Sequence, residues 1–241
     1  MEVAVVIDDG ATRREARLPV RRMYNLGSAT RSADTAAVHH AEVAQAGIRI
    51  AFDVPAPRIY PIGAHALTTG DEVLVQDDET SGEVEIVIAV HEQVYVGVGS
   101  DHSDRALERV SIPWSKQVCP NVLAPVLWPF EALRERWDRC VLRSWVDGRL
   151  YQEVGVATFL HPDDVLATLR ERVSDLPVRD YLVFCGTVAS LDKALGFGRR
   201  WSFELEDPVA GRRIRHAYAI RNLFDEIRSE FRVPVRAPDA N

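Results

Sequence analysis

The chain is 241 residues long, 46% hydrophobic and 27% charged, with 29 Lys and Arg against 36 Asp and Glu and a formal net charge of −7. Length and apolar content suffice for a sizeable core, which excludes a disordered chain, a collagen-like rod and a disulfide-dependent miniprotein. The acidic balance, with no basic tract, argues against nucleic acid and anionic membrane surfaces as partners.

Taken in chain order, EVAVVI (2–7) reads as a strand closed by a DDG turn, and a second strand is expected within 12–24. The N-terminus lacks a cationic start and a cleavage site, so no signal peptide is expected. Residues 33–47 read as an Ala-rich helix stopped by Gly47, and Pro55, Pro57 and Pro61 then impose an extended path. The middle is β-rich: DEVLVQ (71–76), a turn at 77–82, EVEIVIAV (83–90) and QVYVGVGSD (93–101), the last two joined as a hairpin through His91-Glu92. A short helical piece is expected at 105–110, a helix within 129–147 starting at Pro129, and another at 162–174. DYLVFCGTV (180–188) reads as a buried strand ending in Gly-Thr, 201–220 as a hairpin turning at Asp-Pro and Gly211, and 221–231 as a last helix. No stretch approaches 18 apolar residues, so no membrane span is expected. The three cysteines, Cys119, Cys140 and Cys185, form no C-x-x-C pair and suit a reducing cytoplasm. The whole predicts a soluble α+β or mainly β protein with one catalytic domain over 1–241. It leaves room for a small N-terminal β element at 1–24 and a frayed tail at 234–241.

Five groups of residues can carry chemistry. Glu83-Val84-Glu85 puts two carboxylates on one face of a strand, an arrangement that a hard divalent cation resolves. The alternative is an ordinary solvated strand face. Asp101, His102, Asp104 and Arg105 follow the Gly97-x-Gly99 end of the next strand, and hairpin pairing would carry Asp101 toward Glu83. Here the alternative is a polar turn in which Asp101 caps a helix. Ser115-Lys116-Gln117 lies between Pro113 and Pro120, in a segment expected to be held by proline rather than by helix periodicity. Its lysine can serve as a point charge for a substrate carboxylate or enolate. Gly186-Thr187 ends the late strand with amides and a hydroxyl suited to a carboxylate, and Cys185 beside it is a buried thiol rather than a nucleophile. His39 and His40 with Glu42 offer a general base, or else an exposed pair on an Ala-rich helix.

The order of these groups carries more than any one of them. A same-face Glu-x-Glu, a strand ending in Gly-x-x-x-Asp with Arg four residues on, a Ser-Lys before a proline-containing loop, and a late strand ending in Gly-Thr together resemble the fumarylacetoacetate hydrolase superfamily. The chain looks closest to its single-domain DUF2848 branch, over about residues 24–220. The resemblance implies a mixed β-roll or sandwich with peripheral helices and a homodimer. It implies Mg²⁺ or Mn²⁺ on Glu83, Glu85 and Asp101, and Lys116 polarising an oxo-acid substrate. Arg105, Gln117, Gly186 and Thr187 would contact that substrate, and His39 or His40 with Glu42 would move the proton. The sequence departs from the family pattern in a short Glu85–Asp101 interval, in Val188 where proline is usual, and in a Tyr24–Gly27 region far upstream of His39-x-x-Glu42. The implied activity is hydrolysis of a C–C bond in a small 2-oxo or 1,3-dicarbonyl acid through a metal-stabilised enolate. Oxo-acid decarboxylation, tautomerisation or hydration is the alternative within the superfamily, and a non-catalytic small-molecule binder is the alternative outside enzymes.

Overall fold

Alternation of apolar and polar residues turns most of the chain into strands. Glu2–Asp8 alternates between exposed and buried positions and pairs antiparallel with Arg13–Pro19. The region 12–24, expected to hold one strand, holds that one and the start of another, Arg22–Gly27, because Val20 and Met23 both turn inward around the break. The computed structural model describes residues 1–50 and 53–235, so the expected frayed tail lies, from residue 236 onward, outside the described residues.

Among the described residues a ten-stranded sheet dominates. Its main path runs Arg13–Pro19, Glu2–Asp8, Val126–Pro129, Val94–Asp101, Val84–Val90, Tyr181–Phe184, Arg22–Gly27 and Arg58–Ile62. A five-stranded sheet packs against it in the order Arg149–Gly155, Val141–Val146, Arg200–Asp207, Arg212–Asn222 and Glu72–Val75. The expected hairpin at the centre forms with Val90 opposite Val94, one residue longer in its loop than the His91-Glu92 turn. Both faces of Val84–Val90 are buried. Ile86 and Ile88 face a core shared with Trp128 of the same sheet and with Phe203 and Leu205 of the second, while Val87 and Ala89 face a core shared with Val5, Leu127 and Leu182. A strand sandwiched in this way reads as an unbroken apolar run, and any carboxylate near its start is taken out of water with it.

The helices are peripheral: Ala33–Gln45, capped by Ser32; Arg105–Glu108; Ile112–Val118, capped by Ser111; and Pro162–Arg172. None is long and apolar enough to cross a membrane. Three expectations are corrected. The helix placed in 129–147 is two 3₁₀ turns, Phe130–Ala132 and Arg134–Arg139, followed by the strand Val141–Val146. There Leu142 and Ser144 turn inward, and the strand lies between two antiparallel partners. Sheet pairing takes VLRSWV out of the expected helix, and FEALRERWDR ahead of it stays helical only as 3₁₀ turns. The last helix, at 221–231, is likewise two short 3₁₀ turns, the first capped by Asn222. Thr80–Ser81, read as part of a turn, pairs with Ser103–Asp104 as a two-stranded ribbon.

Candidate metal centre and active site

Glu83, Glu85 and Asp101 meet at one end of the ten-stranded sheet. Val84 lies opposite Ser100, and the Asp101 amide donates to the Glu83 carbonyl at 3.0 Å, so Asp101 faces Glu83 across the hairpin. One oxygen from each of the three carboxylates lies within 4.8 Å of the others, and all three side chains are buried. The solvated strand face is thereby excluded, and the helix cap falls to Asp104, which accepts from the Leu107 amide at 2.9 Å.

Burial and mutual repulsion set the charge states. Burial works against the Glu83 carboxylate, yet Arg105, Lys116 and His39 bring it down to about 2. Glu85 is held well above the usual carboxylate range by burial and by the charge of Asp101. Asp101 is raised as well, chiefly by burial, with Lys116 opposing. The Asp101 Oδ1 atom is buried without a hydrogen-bond partner. Three clustered carboxylates, one of them driven to hold a proton and one with an orphaned oxygen, suit a hard divalent cation.

Lys116 does not sit in a proline-held loop. It lies on the helix Ile112–Val118, whose Ser115 hydroxyl donates to the Asp104 carbonyl at 2.8 Å and anchors it to the strand end. Its ammonium is paired with Asp101 and stands 4.0 Å from Glu83 Oε2 and 5.9 Å over the Tyr60 ring. Burial opposes its charge, but Asp101 and Glu83 raise its pKa, so it stays cationic.

The two histidines part company. His39 Nδ1 is 3.0 Å from Glu42 Oε2, and its Nε2 is 3.9 Å from Glu83 Oε1. Glu42 is buried, and its other oxygen accepts from the Ser190 amide at 3.0 Å and hydroxyl at 2.6 Å. Burial raises the Glu42 pKa, but the bonds from His39 and Ser190 outweigh it and keep the group ionised. His40 instead bonds the Ser28 hydroxyl at 2.8 Å, and burial, with His39 and Arg58 nearby, lowers its pKa.

One cavity gathers His39, His40, Glu83, Glu85, Lys116, Gly186 and Thr187. Arg105 and Gln117 are not brought to it. Arg105 is fully buried behind Glu83, donating to Glu83 at 2.8 Å, Glu108 at 2.6 Å and Ser81 at 2.6 Å. Gln117 accepts from the Gly63 amide at 2.9 Å and contacts His65. Gly186 and Thr187 line the cavity, but with donors already engaged. The Gly186 amide donates to Glu85 at 2.8 Å, and the Thr187 hydroxyl donates to the Val84 carbonyl at 3.0 Å. Gly186 has φ +76°, and a Cβ there would run into the Leu26 carbonyl, so glycine is required.

Four further residues were missed. Gln152 links both sheets, donating to Thr187 at 2.8 Å and to the Val188 carbonyl at 2.7 Å, and accepting from the Val84 amide at 3.1 Å and Ser144 at 2.8 Å. Ser190 fixes Glu42, while Ser28 and Arg58 line the cavity. A charged residue opening an otherwise apolar strand marks Arg58 in the sequence; Gln152 and Ser190 leave no such signal.

A family model described as "Protein of unknown function (DUF2848)" matches residues 27–218. No curated protein matches the chain. Among similar solved structures is an Oleispira antarctica protein assigned as a fumarylacetoacetate isomerase/hydrolase, with 15% identity, a TM-score of 0.62, and coverage of 91% of this chain and 100% of that one. Another is the yeast ynq8 fumarylacetoacetate hydrolase family protein, at 14% identity and TM-score 0.59, covering 84% of this chain and 94% of that one. A third is 5-carboxymethyl-2-hydroxymuconate delta-isomerase from Mycobacterium smegmatis, at 16% identity and TM-score 0.56, covering 88% of this chain and 81% of that one. At these identities the likeness is one of fold.

Proposed function

Since the chain belongs to the DUF2848 family, within the fumarylacetoacetate hydrolase superfamily, we propose that it is a divalent-metal-dependent enzyme that hydrolyses a C–C bond in a small 2-oxo or 1,3-dicarbonyl acid. The observation that carries this reading is the convergence of the His39–Glu42 pair on the buried Glu83, Glu85 and Asp101 cluster. These three carboxylates would hold Mg²⁺ or Mn²⁺. When bound, the ion supplies Lewis acidity toward a substrate carbonyl.

The remaining work falls to the chain's own residues. Glu42 accepts the Nδ1 proton of His39 and fixes its tautomer, leaving Nε2 directed at the carboxylate cluster to take a proton from water. Ser190 holds Glu42 in place. Lys116 is a fixed positive charge on the cavity wall, so negative charge developing on the substrate oxygen needs no reorganisation to be met. Arg105 orients and neutralises Glu83 from behind and is a positioning residue. Gly186 and Thr187 shape the wall, and Gly186 orients Glu85. Water activation by an intact His–Glu pair favours hydrolysis over decarboxylation or tautomerisation, and leaves hydration as the alternative that shares it.

The reading extends to a single catalytic domain working as a homodimer in the cytoplasm. The three free, buried cysteines and the exposed apolar face of Val110, Trp114 and Val118 support it. Its test is a thermal shift with Mn²⁺ or Mg²⁺ on wild type and Glu85→Ala, followed by a screen of 2-oxo acids with His39→Ala and Lys116→Ala. Expected are a metal response lost in Glu85→Ala, and metal responses retained but turnover lost in the other two. Absence of any metal response in wild type would sink the proposal.

A further inference from the structure

Ser28 stands where the chain leaves the ten-stranded sheet. It follows the strand Arg22–Gly27 and takes φ +61°. A residue with a Cβ holds that left-handed conformation at a cost, and such residues cluster at active sites. Its hydroxyl meets two side chains. His40 Nε2 lies 2.8 Å away, and Arg58 Nη1 donates to the Ser28 oxygen at 3.0 Å. A guanidinium offers donors only, so the oxygen accepts from Arg58 and its own proton is left for the imidazole. Burial, with His39 and Arg58 nearby, lowers the His40 pKa and keeps the ring neutral, able to accept.

The helix Ala33–Gln45 gives its two histidines different work. Adjacent helical residues project about 100° apart. His39 therefore turns to Glu42 and Glu83, and His40 to Ser28. Ser28 and His40 line the cavity that holds Glu85, together with the apolar Leu26, Val43 and Ile112. The strand Tyr181–Phe184 stands between Arg22–Gly27 and Val84–Val90. Ser28 is therefore two strand spacings from the carboxylate cluster, roughly 10 Å along the sheet. A carbonyl held at that cluster is out of reach of Ser28, so chemistry at the hydroxyl is a separate reaction.

We propose that Ser28 is a nucleophile toward esters of small acyl groups, with His40 as its general base, and that this activity needs no metal ion. The Ser28 hydroxyl proton passes to His40 Nε2 as Oγ forms its bond to the ester carbonyl carbon. The bond from that carbon to the alcohol oxygen breaks, and the alcohol leaves with the proton from His40. Water then adds to the acyl-serine and gives a proton to His40. The bond to Oγ breaks, His40 returns that proton to Ser28, and the carboxylic acid leaves. Ester and water thus become acid and alcohol with no change of oxidation state. The bond from Arg58 to Oγ favours the negative charge that develops there. The apolar lining suits a short acyl chain.

The probe is p-nitrophenyl acetate in the presence of EDTA, followed by absorbance and by peptide mass spectrometry. Wild type is expected to release about one equivalent of p-nitrophenol in a burst and to carry an acetyl group on Ser28. His40→Asn should slow acylation about a hundredfold. Ser28→Gly is the folded control: glycine takes the positive φ freely, so its Tm should equal or exceed that of wild type while burst and adduct vanish. A hydroxyl that serves only to brace His40 and Arg58 predicts the reverse, a lower Tm and unchanged ester hydrolysis. Acetyl on Lys116 or Lys193, the chain's two lysines, and none on Ser28 overturns the proposal. So does hydrolysis that proceeds equally in wild type and Ser28→Gly, or in wild type and folded His40→Asn. A burst that appears only with Mn²⁺ overturns its independence of metal. A Ser28-dependent burst in a chain that shows no Mn²⁺ thermal shift upholds it and removes the metal reading alone.

Discussion

Two Glu-x-Glu pairs stand on or beside strands of this protein, with the same spacing and opposite fates. Glu85 lies in the ten-stranded sheet with Glu83 just ahead of its strand, and Glu204 and Glu206 lie in the five-stranded one. On the second sheet Glu204 lies opposite Arg143 on one neighbouring strand and Arg215 on the other, and Glu206 lies opposite Arg213. Arg143 reaches Glu204 at 3.2 Å and Glu206 at 2.5 Å, and Arg213 reaches Glu206 at 2.8 Å. These acids are matched by guanidinium groups near solvent. At Glu83 and Glu85 the neighbouring strand supplies another acid, Asp101, and the hydrogen-bonded network adds Glu108, against Arg105 and Lys116, with the His39 imidazole 3.9 Å from Glu83. Identical spacing thus gives a structural ladder where adjacent strands bring arginine, and a cation site where they bring carboxylate behind an apolar wall.

The sharpest way to break this contrast is to remove an arginine from each side. Arg105→Ala leaves Glu83 and Glu108 buried without their partner and should cost about 3–5 kcal/mol. Arg143→Ala, whose side chain is 23% exposed, should cost about 1 kcal/mol. Denaturant unfolding of the metal-free variants reads both, and comparable losses would mean that the two clusters are alike. Next in size is the metal response. At a hundredfold excess over Kd, a bound ion stabilises the folded state by about 2.7 kcal/mol. Glu85→Gln should abolish this gain and Glu206→Gln should leave it whole, as measured by thermal shift with Mn²⁺.

The contrast also explains what could be read from the residues alone. The central hairpin was legible because an apolar run flanked by turn residues is a local signal, and it carried Glu83, Glu85 and Asp101 to one place. Lys116 and the His39-x-x-Glu42 pair were candidates by local pattern, each beside a bland alternative, and the family resemblance gave them their roles. Arg105 was expected at the substrate, because an arginine four residues after Asp101 says nothing about which acids surround it once folded. Arg58 was missed because its place depends on the pairing of its strand with Arg22–Gly27, over 30 residues away, and of that strand with Tyr181–Phe184, more than a hundred residues away. The strand Val141–Val146 was taken for helix although one partner, Arg149–Gly155, is local across the Asp147-Gly148 turn; its other partner, Arg200–Asp207, lies more than fifty residues away.

Proton linkage sharpens the contrast further. In the metal-free fold Glu85 keeps its proton above the usual carboxylate range, because burial and Asp101 disfavour its charge. The folded chain then holds a proton that the unfolded chain has released, so this group's contribution to stability falls as pH rises through that window. Glu83 has the opposite sign: held down to about 2, it stabilises above the ordinary carboxylate value and loses that contribution as pH falls toward 2. A cation must displace the Glu85 proton, so Mn²⁺ affinity should rise by up to about tenfold per pH unit across the window, equivalent to about 1.4 kcal/mol. Calorimetry in buffers of different ionisation heat should show close to one proton released per ion. Affinity that does not change with pH would mean that Glu85 is already ionised.

The smallest expected effect asks how far the order of the buried cluster extends. Ser190 does not bond to the three carboxylates, yet its hydroxyl holds Glu42, and Glu42 holds the imidazole that faces Glu83. Ser190→Ala removes one hydrogen bond to a carboxylate that retains two others, one from the Ser190 amide and one from His39. It also removes the bond that the hydroxyl accepts from the Ala194 amide at 3.1 Å, so stability should fall by only about 1–2 kcal/mol. The orientation of His39 should suffer more than the fold. Its Nδ1 proton, held by Glu42 Oε2, should give a downfield NMR resonance in wild type that broadens by faster exchange in the variant. On the outer ladder no imidazole depends on the acids, so Glu206→Gln should leave that resonance unchanged. A sharp, unshifted Nδ1 signal in Ser190→Ala would show that His39 is placed by the helix Ala33–Gln45 alone, and that the ordered network ends at Glu42.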